Sequence, residues 1–155
     1  MLATLRHADE VLRLAVRRDL CVARWTDTPT PRHFDEIVRA IEEAARAGDR
    51  ALLLNVVDAP GKLPRFTDEL RRAGGAMGAR MGPLTAATAH VVLLEGFVGT
   101  SVRMFLSTLT LLSRSGGSVS TSATVEDGAR WLADQRGRGR GWTPEAILEA
   151  YRATR

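Results

Sequence analysis

The spacing of apolar residues changes period several times along this chain, and each change predicts an element. In "VLRLAVRR" and "LCVARWTD", apolar residues recur on alternating positions: Val11, Leu12, Leu14 and Val16, then Cys21, Val22 and Trp25. A period of two interrupted by "RRD" predicts an antiparallel hairpin. In "TPTPRHFDEIVRAIEEAARAGD" the period lengthens, and Phe34, Ile37, Val38, Ile41 and Ala45 form one helical stripe. Thr30 can cap this helix, Pro31 suits its first turn and Gly48 can end it. Asp35 with Arg39 and Glu42 with Arg46 are spaced i,i+4 on its solvated side.

"ALLLNVV" is a short apolar run followed by turn residues, the pattern of a strand covered on both faces. "RFTDELRRAGGAMGARM" then carries Phe66, Leu70, Met77 and Met81 at helical spacing around Gly74, Gly75 and Gly78. Each such glycine costs roughly 1 kcal/mol against alanine in a helix. The helix therefore either packs very closely at that point or is broken there. "AHVVLLEGF" predicts a second covered strand, "GTSVRMFLSTLTLLSR" a helix with Thr100 or Ser101 as its cap, and "GSVSTSAT" a third strand. "TVEDGARWLADQ" is a helix with Thr124 and Asp127 in capping-box positions. The order is a hairpin, a helix and then three strand–helix units. It predicts an α/β fold: a mixed sheet with an N-terminal antiparallel hairpin, then alternating helices and mainly parallel strands.

The expected domain covers residues 1–135. Residues 136–155 add the basic "RGRGRG" linker and a short helix, "TPEAILEAYRATR", whose face carries Trp142, Ile147, Leu148 and Tyr151. So short a helix is marginal alone, which predicts docking on the domain or on a partner.

Composition narrows the function. A chain of 155 residues, 45% hydrophobic, has the length of one domain with a real core. Lys62 is the only lysine among 22 basic residues, so 21 are arginines, and 18 acidic residues are interleaved with them. The net charge of +4 gives no single-sign field, which argues against nucleic acid. The arginine–glycine run can touch phosphate, but three arginines suit a linker better. The single cysteine, Cys21, rules out a disulfide framework and points to a reducing interior. "MLATLRHADE" lacks the apolar core of a signal peptide, and no segment nears the roughly 18 apolar residues of a membrane span. The expectation is a cytoplasmic protein.

The element order, with "HVVLLEGFVGTSVRMFLSTLTLL" and "TSATVEDGARWLADQ", resembles the STAS-like family over about residues 10–135. That family joins bacterial anti-sigma-factor antagonists and lipid-binding CRAL-TRIO relatives. The chain looks most like the bacterial STAS/SEC14 branch, whose last helix tends to end in Ala-x-x-Trp-Leu; here the pattern stands as "GARWL" (Gly128 to Leu132). The resemblance implies a STAS/CRAL-TRIO-like sheet. In the antagonist branch a phosphorylated serine lies in an Asp-Ser-Ser-Gly turn after the middle strand. The matching turn here is "DAPG", Asp58 to Gly61, where Ala59 and Pro60 stand in place of the serines. A serine phosphoswitch at this turn is chemically excluded. Thr67 is the nearest hydroxyl at a helix start, able to accept phosphate or, more simply, to cap the helix.

Other motifs fail on spacing. "PGK" has Val56 and Leu63 where a phosphate loop needs glycine and a hydroxyl residue. "GTSVR" is not a nucleophile elbow. His7, His33 and His90 are far apart and none has an i,i+4 partner, so no metal site or cofactor is expected. Cys21 points into the hairpin and is expected to be inert.

What remains is geometry at the strand rim. Asp58 and Glu95 each follow a buried strand, and Lys62, Arg65, Thr100 and Arg103 lie on the same rim or the following helix starts. A small anion can be held there between basic side chains and helix amides; equally, these residues can cap turns and pair with one another. Along 102–112, Met104 and Leu111 widen the apolar surface and Arg103 is the only charge. Such a helix covers a partner or a ligand pocket, or lies under the C-terminal tail. The leading expectation is a non-enzymatic, STAS-like regulatory domain of the bacterial cytoplasm. It would act by protein–protein contact through helix 102–112 and loop 59–67, as a homodimer on that helix. The alternative is a domain binding a lipid-like or small anionic molecule. Asp58, Lys62, Arg65, Thr67, Glu95, Arg103, Met104 and Leu111 are the candidate contact residues.

Overall fold

The computed structural model describes residues 2–59, 66–113, 117–136 and 141–155, leaving aside the side chains of 111–113 and 136. The first three strands, β1 (Thr4–Ala8), β2 (Leu12–Arg17) and β3 (Leu20–Trp25), are antiparallel neighbours. Helix α1 (Pro31–Gly48) then leads to β4 (Ala51–Val57), α2 (Asp68–Met81) to β5 (Thr85–Val92), and α3 (Gly96–Ser113) to β6 (Ser118–Ser122). Helices α4 (Val125–Arg136) and α5 (Pro144–Arg152) follow. The strands lie side by side in chain order, β1 to β6, and the pairs from β3 onward are parallel. The mixed α/β architecture read from the periodicity is the observed one.

Each parallel connection turns the same way, so α1, α2 and α3 stack on one face of the sheet. Helices α4 and α5 cover the other, and the strands divide their side chains between two cores. Leu12, Leu14, Cys21, Ala23, Leu53, Phe34, Ile37 and Ile41 belong to the first face. Leu20, Val22, Leu52, Leu54, Val56, Ala89, Val91, Leu132, Ile147 and Tyr151 belong to the second. The run "ALLLNVV" is thus a strand covered on both sides. Among the described residues, no helix is long and apolar enough to cross a membrane.

Three local readings change. The antiparallel start has three strands, because "TLRHA" pairs with β2 through a register shift between Leu5 and His7. Its side chains are mostly exposed, so no alternation marked it. The strand read in "AHVVLLEGF" begins at Thr85 and ends at Val92, and Gly96, at φ +66°, opens α3 with Phe97 and Val98 inside the helix. Arg39 pairs with Glu36 at 2.9 Å, whereas Asp35 reaches Arg80 on α2 at 3.3 Å.

Helix α2 is continuous through its glycines. A Cβ on Gly74 would come within 2.8 Å of Leu109 Cδ2, so this glycine lets α2 and α3 pack together. Thr67 caps α2, its hydroxyl accepting from the Leu70 N–H at 3.1 Å. The C-terminal helix docks on the domain. Trp142, Ile147, Ala150 and Tyr151 are buried, and the Trp142 indole donates to Asp19 Oδ1 at 2.8 Å. Residues 137–140 of the basic linker lie outside the described residues.

Candidate ligand cavity

Alternation along β4 and β5 turns Leu53, Asn55 and Val57 and also Thr88 and His90 toward the α1–α3 face. Leu53 sits opposite Thr88 and Asn55 opposite His90 in the parallel register. A core of bulky aliphatics would fill this position between a sheet and three helices. Two polar side chains and a threonine stand there instead, and the layer above them is not filled. A cavity of about 240 Å³ lies between the sheet and the helices.

Its walls are mainly apolar. Phe34 and Ile37 of α1, Met77 and Met81 of α2, and Val102, Phe105, Leu106 and Leu109 of α3 line it. Gly78 of α2 also lines it, adding no side chain to the space. Phe66 stacks on Phe105 with centroids 4.1 Å apart and planes 10° from parallel, which makes one wall a flat aromatic surface. One end of the cavity meets the Thr26–Pro29 loop beyond the carboxyl end of β3; the other meets Thr85 and Gly117.

The polar floor has a direction imposed by its chemistry. The Trp25 indole N–H can only donate, and it donates to Asn55 Oδ1 at 2.7 Å. That fixes the Asn55 amide, whose Nδ2 faces His90 Nδ1 at 3.0 Å and must be the donor. His90 Nδ1 is then the acceptor, and the neutral ring carries its proton on Nε2. Burial pushes the His90 pKa down to about 4, which keeps the ring neutral near pH 7. Nε2 has no hydrogen-bond partner among the described residues, and His90 lines the cavity. The chain Trp25 → Asn55 → His90 therefore ends in an N–H donor offered to an apolar space.

The residues singled out at the rim have separate fates. Asp58 is held by Arg24, whose Nη2 lies 2.8 Å from Oδ2 while its Nη1 donates to the Thr154 carbonyl at 3.2 Å. Glu95 is exposed and makes no ion pair among the described residues. Arg103 folds back to the Leu94 carbonyl at 3.4 Å. The hydroxyl of Thr100 donates to the Gly96 carbonyl of its own helix. None of these four is among the described residues that line the cavity. Met104 points outward, 67% exposed, as does Phe97. Lys62, Arg65 and the side chain of Leu111 lie outside the described residues. Among the described rim residues, Asp58, Thr100 and Arg103 are engaged by neighbours or backbone and Glu95 faces solvent, while the candidate site lies beneath them.

Sequence reasoning set His90 aside for want of a metal-binding partner and took Asn55 for part of an apolar run. The available signal was their shared period of two: Asn55 alone interrupts "ALLLNVV", and Thr88 and His90 alternate with Ala87, Ala89 and Val91.

A second cluster lies outside the cavity. Asp9 Oδ2 is 2.8 Å from His7 Nε2 and 3.0 Å from His33 Nε2, so two histidines remote in sequence meet on one carboxylate. Burial raises the Asp9 pKa, but the N–H groups of Leu12 and Val11 and the two imidazoles outweigh it and hold the carboxyl well below its usual range. Cys21 is fully buried and its thiol is pushed up to about 12, first by burial and then by Glu43, so it is inert as a nucleophile at neutral pH.

No protein-family model, no curated protein and no solved structure matches this chain.

Proposed function

We propose that this chain is a non-enzymatic binding domain for a small lipid-like molecule that carries one hydrogen-bond acceptor. The observation that carries the reading is the donor at His90 Nε2, which faces a cavity walled mainly by apolar side chains, with Asp27 and threonines at its ends. A neutral N–H in such a setting favours a carboxylate, carbonyl or hydroxyl oxygen and rejects an ammonium group. At about 240 Å³ the cavity is somewhat below the range of roughly 300–1,000 Å³ typical of drug-sized ligands, which suits a single chain rather than a multi-ring molecule. His90 is two residues from the carboxyl end of β5, and Thr85 is at the amino end. Five residues separate His90 from Thr85, so at about 3.3 Å per residue the strand beneath the cavity runs some 16 Å inward from the donor. The head group would lie near the rim and the tail would run inward. This is the behaviour that the SEC14 side of the resemblance implies.

The regulatory reading, a STAS-like protein contact or homodimer in the bacterial cytoplasm, rests on exposed Phe97 and Met104. It has less support, because most of the apolar side chains that make α3 so poor in charge are used by the cavity wall and the sheet.

Native mass spectrometry of the purified chain, with displacement of a fluorescent fatty acid, tests the proposal. The expected result is a bound small molecule or saturable uptake at one site. Gly78→Leu, which fills the cavity, is expected to weaken uptake at least about tenfold, while Met104→Glu leaves it unchanged. A folded chain with no adduct and no saturable uptake would overturn the reading. A dimer dissociated by Met104→Glu would support protein contact instead.

A further inference from the structure

We propose that His7, Asp9 and His33 form a binding site for one divalent cation of the zinc type. The side chains come from β1, from the turn between β1 and β2, and from the first turn of α1. Their three nearest ligand atoms, His7 Nε2, Asp9 Oδ2 and His33 Nε2, all lie within 4.8 Å of one another. Around a tetrahedral zinc, with bonds of about 2.0–2.2 Å, ligand atoms stand about 3.3 Å apart. The two carboxylate–imidazole separations, 2.8 and 3.0 Å, need to open by only about 0.3–0.5 Å to reach that spacing. The two imidazole nitrogens lie within 4.8 Å of each other and need to close by at most about 1.5 Å, and His7 stands on the edge strand.

The groups behind these atoms are already arranged. Asp9 Oδ1 accepts from the N–H of Val11 at 2.7 Å and of Leu12 at 2.8 Å, so the carboxylate is oriented by backbone and presents Oδ2 to the histidines. Thr30 meets His33 Nδ1 with both a donor and an acceptor: its N–H and its Oγ1 each lie 3.0 Å away. Without a cation, Nδ1 accepts from the Thr30 N–H, and the ring proton on Nε2 is donated to Asp9. When Nε2 ligates, that proton moves to Nδ1 and is donated to Thr30 Oγ1. In that tautomer the Thr30 N–H gives up Nδ1 as its acceptor, and the Oγ1 contact alone holds the ring. This is the outer-shell support that metal-binding imidazoles have.

The donor set selects the ion. Two imidazole nitrogens and one carboxylate oxygen suit Zn²⁺ and its neighbours, whereas Mg²⁺ and Ca²⁺ prefer all-oxygen surroundings. Three protein ligands leave a fourth position for water or a solute. The His7 and Asp9 side chains are 25% and 39% exposed, so a cation can enter from solvent. Trp25 supplies a reporter, since its ring meets His33 edge-on at 6.3 Å.

The test uses the full chain without an affinity tag, stripped with EDTA and dialysed. Calorimetric titration with Zn²⁺ is expected to give one equivalent per chain, Co²⁺ to give tetrahedral visible bands and quench Trp25, and Zn²⁺ to raise Tm. His7→Gln and His33→Gln are each expected to weaken Zn²⁺ binding at least tenfold, with far-UV circular dichroism in EDTA confirming a folded chain. Three results would overturn the proposal. One is a folded native chain that takes up no Zn²⁺ at millimolar concentration. The second is unchanged affinity in a folded chain carrying both His7→Gln and His33→Gln. The third is a loss of Tm in the variants in EDTA with no rise on Zn²⁺ addition to the native chain, which would make the cluster only a hydrogen-bonded clip. None of these results bears on uptake in the cavity.

Discussion

Along β4, Leu52, Leu54 and Val56 turn toward α4 and α5, and Leu53, Asn55 and Val57 turn toward α1–α3. The same backbone therefore supplies two faces with opposite packing. On the α4/α5 face, every β4 and β5 contributor is aliphatic, and a Cβ at Gly128 would lie 2.6 Å from Val91 Cγ2, so helix and sheet are in direct contact. The C-terminal helix completes that face, with Trp142 bonded to Asp19. On the α1–α3 face, Asn55, Thr88 and His90 replace aliphatics, and the helices stand off from them around a cavity. A polar row in a covered strand has to be satisfied or solvated. Here the row is satisfied in one direction only, which leaves a donor and room for its partner. The solid face stabilises the fold, and the other keeps a cavity open beside a polar row.

Truncation should separate the two faces most strongly. Leu54→Ala, on the solid face and fully buried, is expected to cost about 3–5 kcal/mol, because rigid neighbours cannot collapse onto the lost volume. Met77→Ala, beside the existing cavity and partly buried, should cost under about 1.5 kcal/mol. Urea unfolding of the two variants decides the matter, and equal losses would mean that the faces do not differ in packing.

Acidification should come next. The native His90 pKa is about 4 against an ordinary 6.5, so between those values the unfolded chain binds a proton that the native chain does not. Stability from this ring is full above pH 6.5 and falls as the pH drops toward 4, by about 3 kcal/mol in all. Urea midpoints measured across that window, compared with those of His90→Leu, should show a slope in the native chain that the variant loses. The smallest effect is at the entrance to α2. Thr67→Ala removes the hydroxyl that accepts from Leu70 N and should cost about 1 kcal/mol in the same assay without altering that slope.

Much of this was legible in the chain. The hairpin alternation at Leu12–Trp25, the stripe through Phe34 and Ile41, and the run Ala51–Val57 each carry their own period, and those elements stand where the periods put them. The edge strand β1 was not legible, since an exposed strand with no buried face has no alternation and exists only by pairing with β2. The candidate site was legible in one respect. Asn55, Thr88 and His90 break apolar runs, which marks a polar row but does not say what covers it.

The sequence by itself determined the alternation of strands and helices, the cap at Thr67, and the absence of a hydroxyl at Ala59 and Pro60. These depend on residues within a few positions of one another. Tertiary structure alone decided that Trp25, Asn55 and His90 form one directed hydrogen-bond chain, and that His7 and His33 meet on Asp9. The reason is that strand register and helix placement join residues separated by 24 to 35 positions, and no local pattern encodes a distance across a sheet.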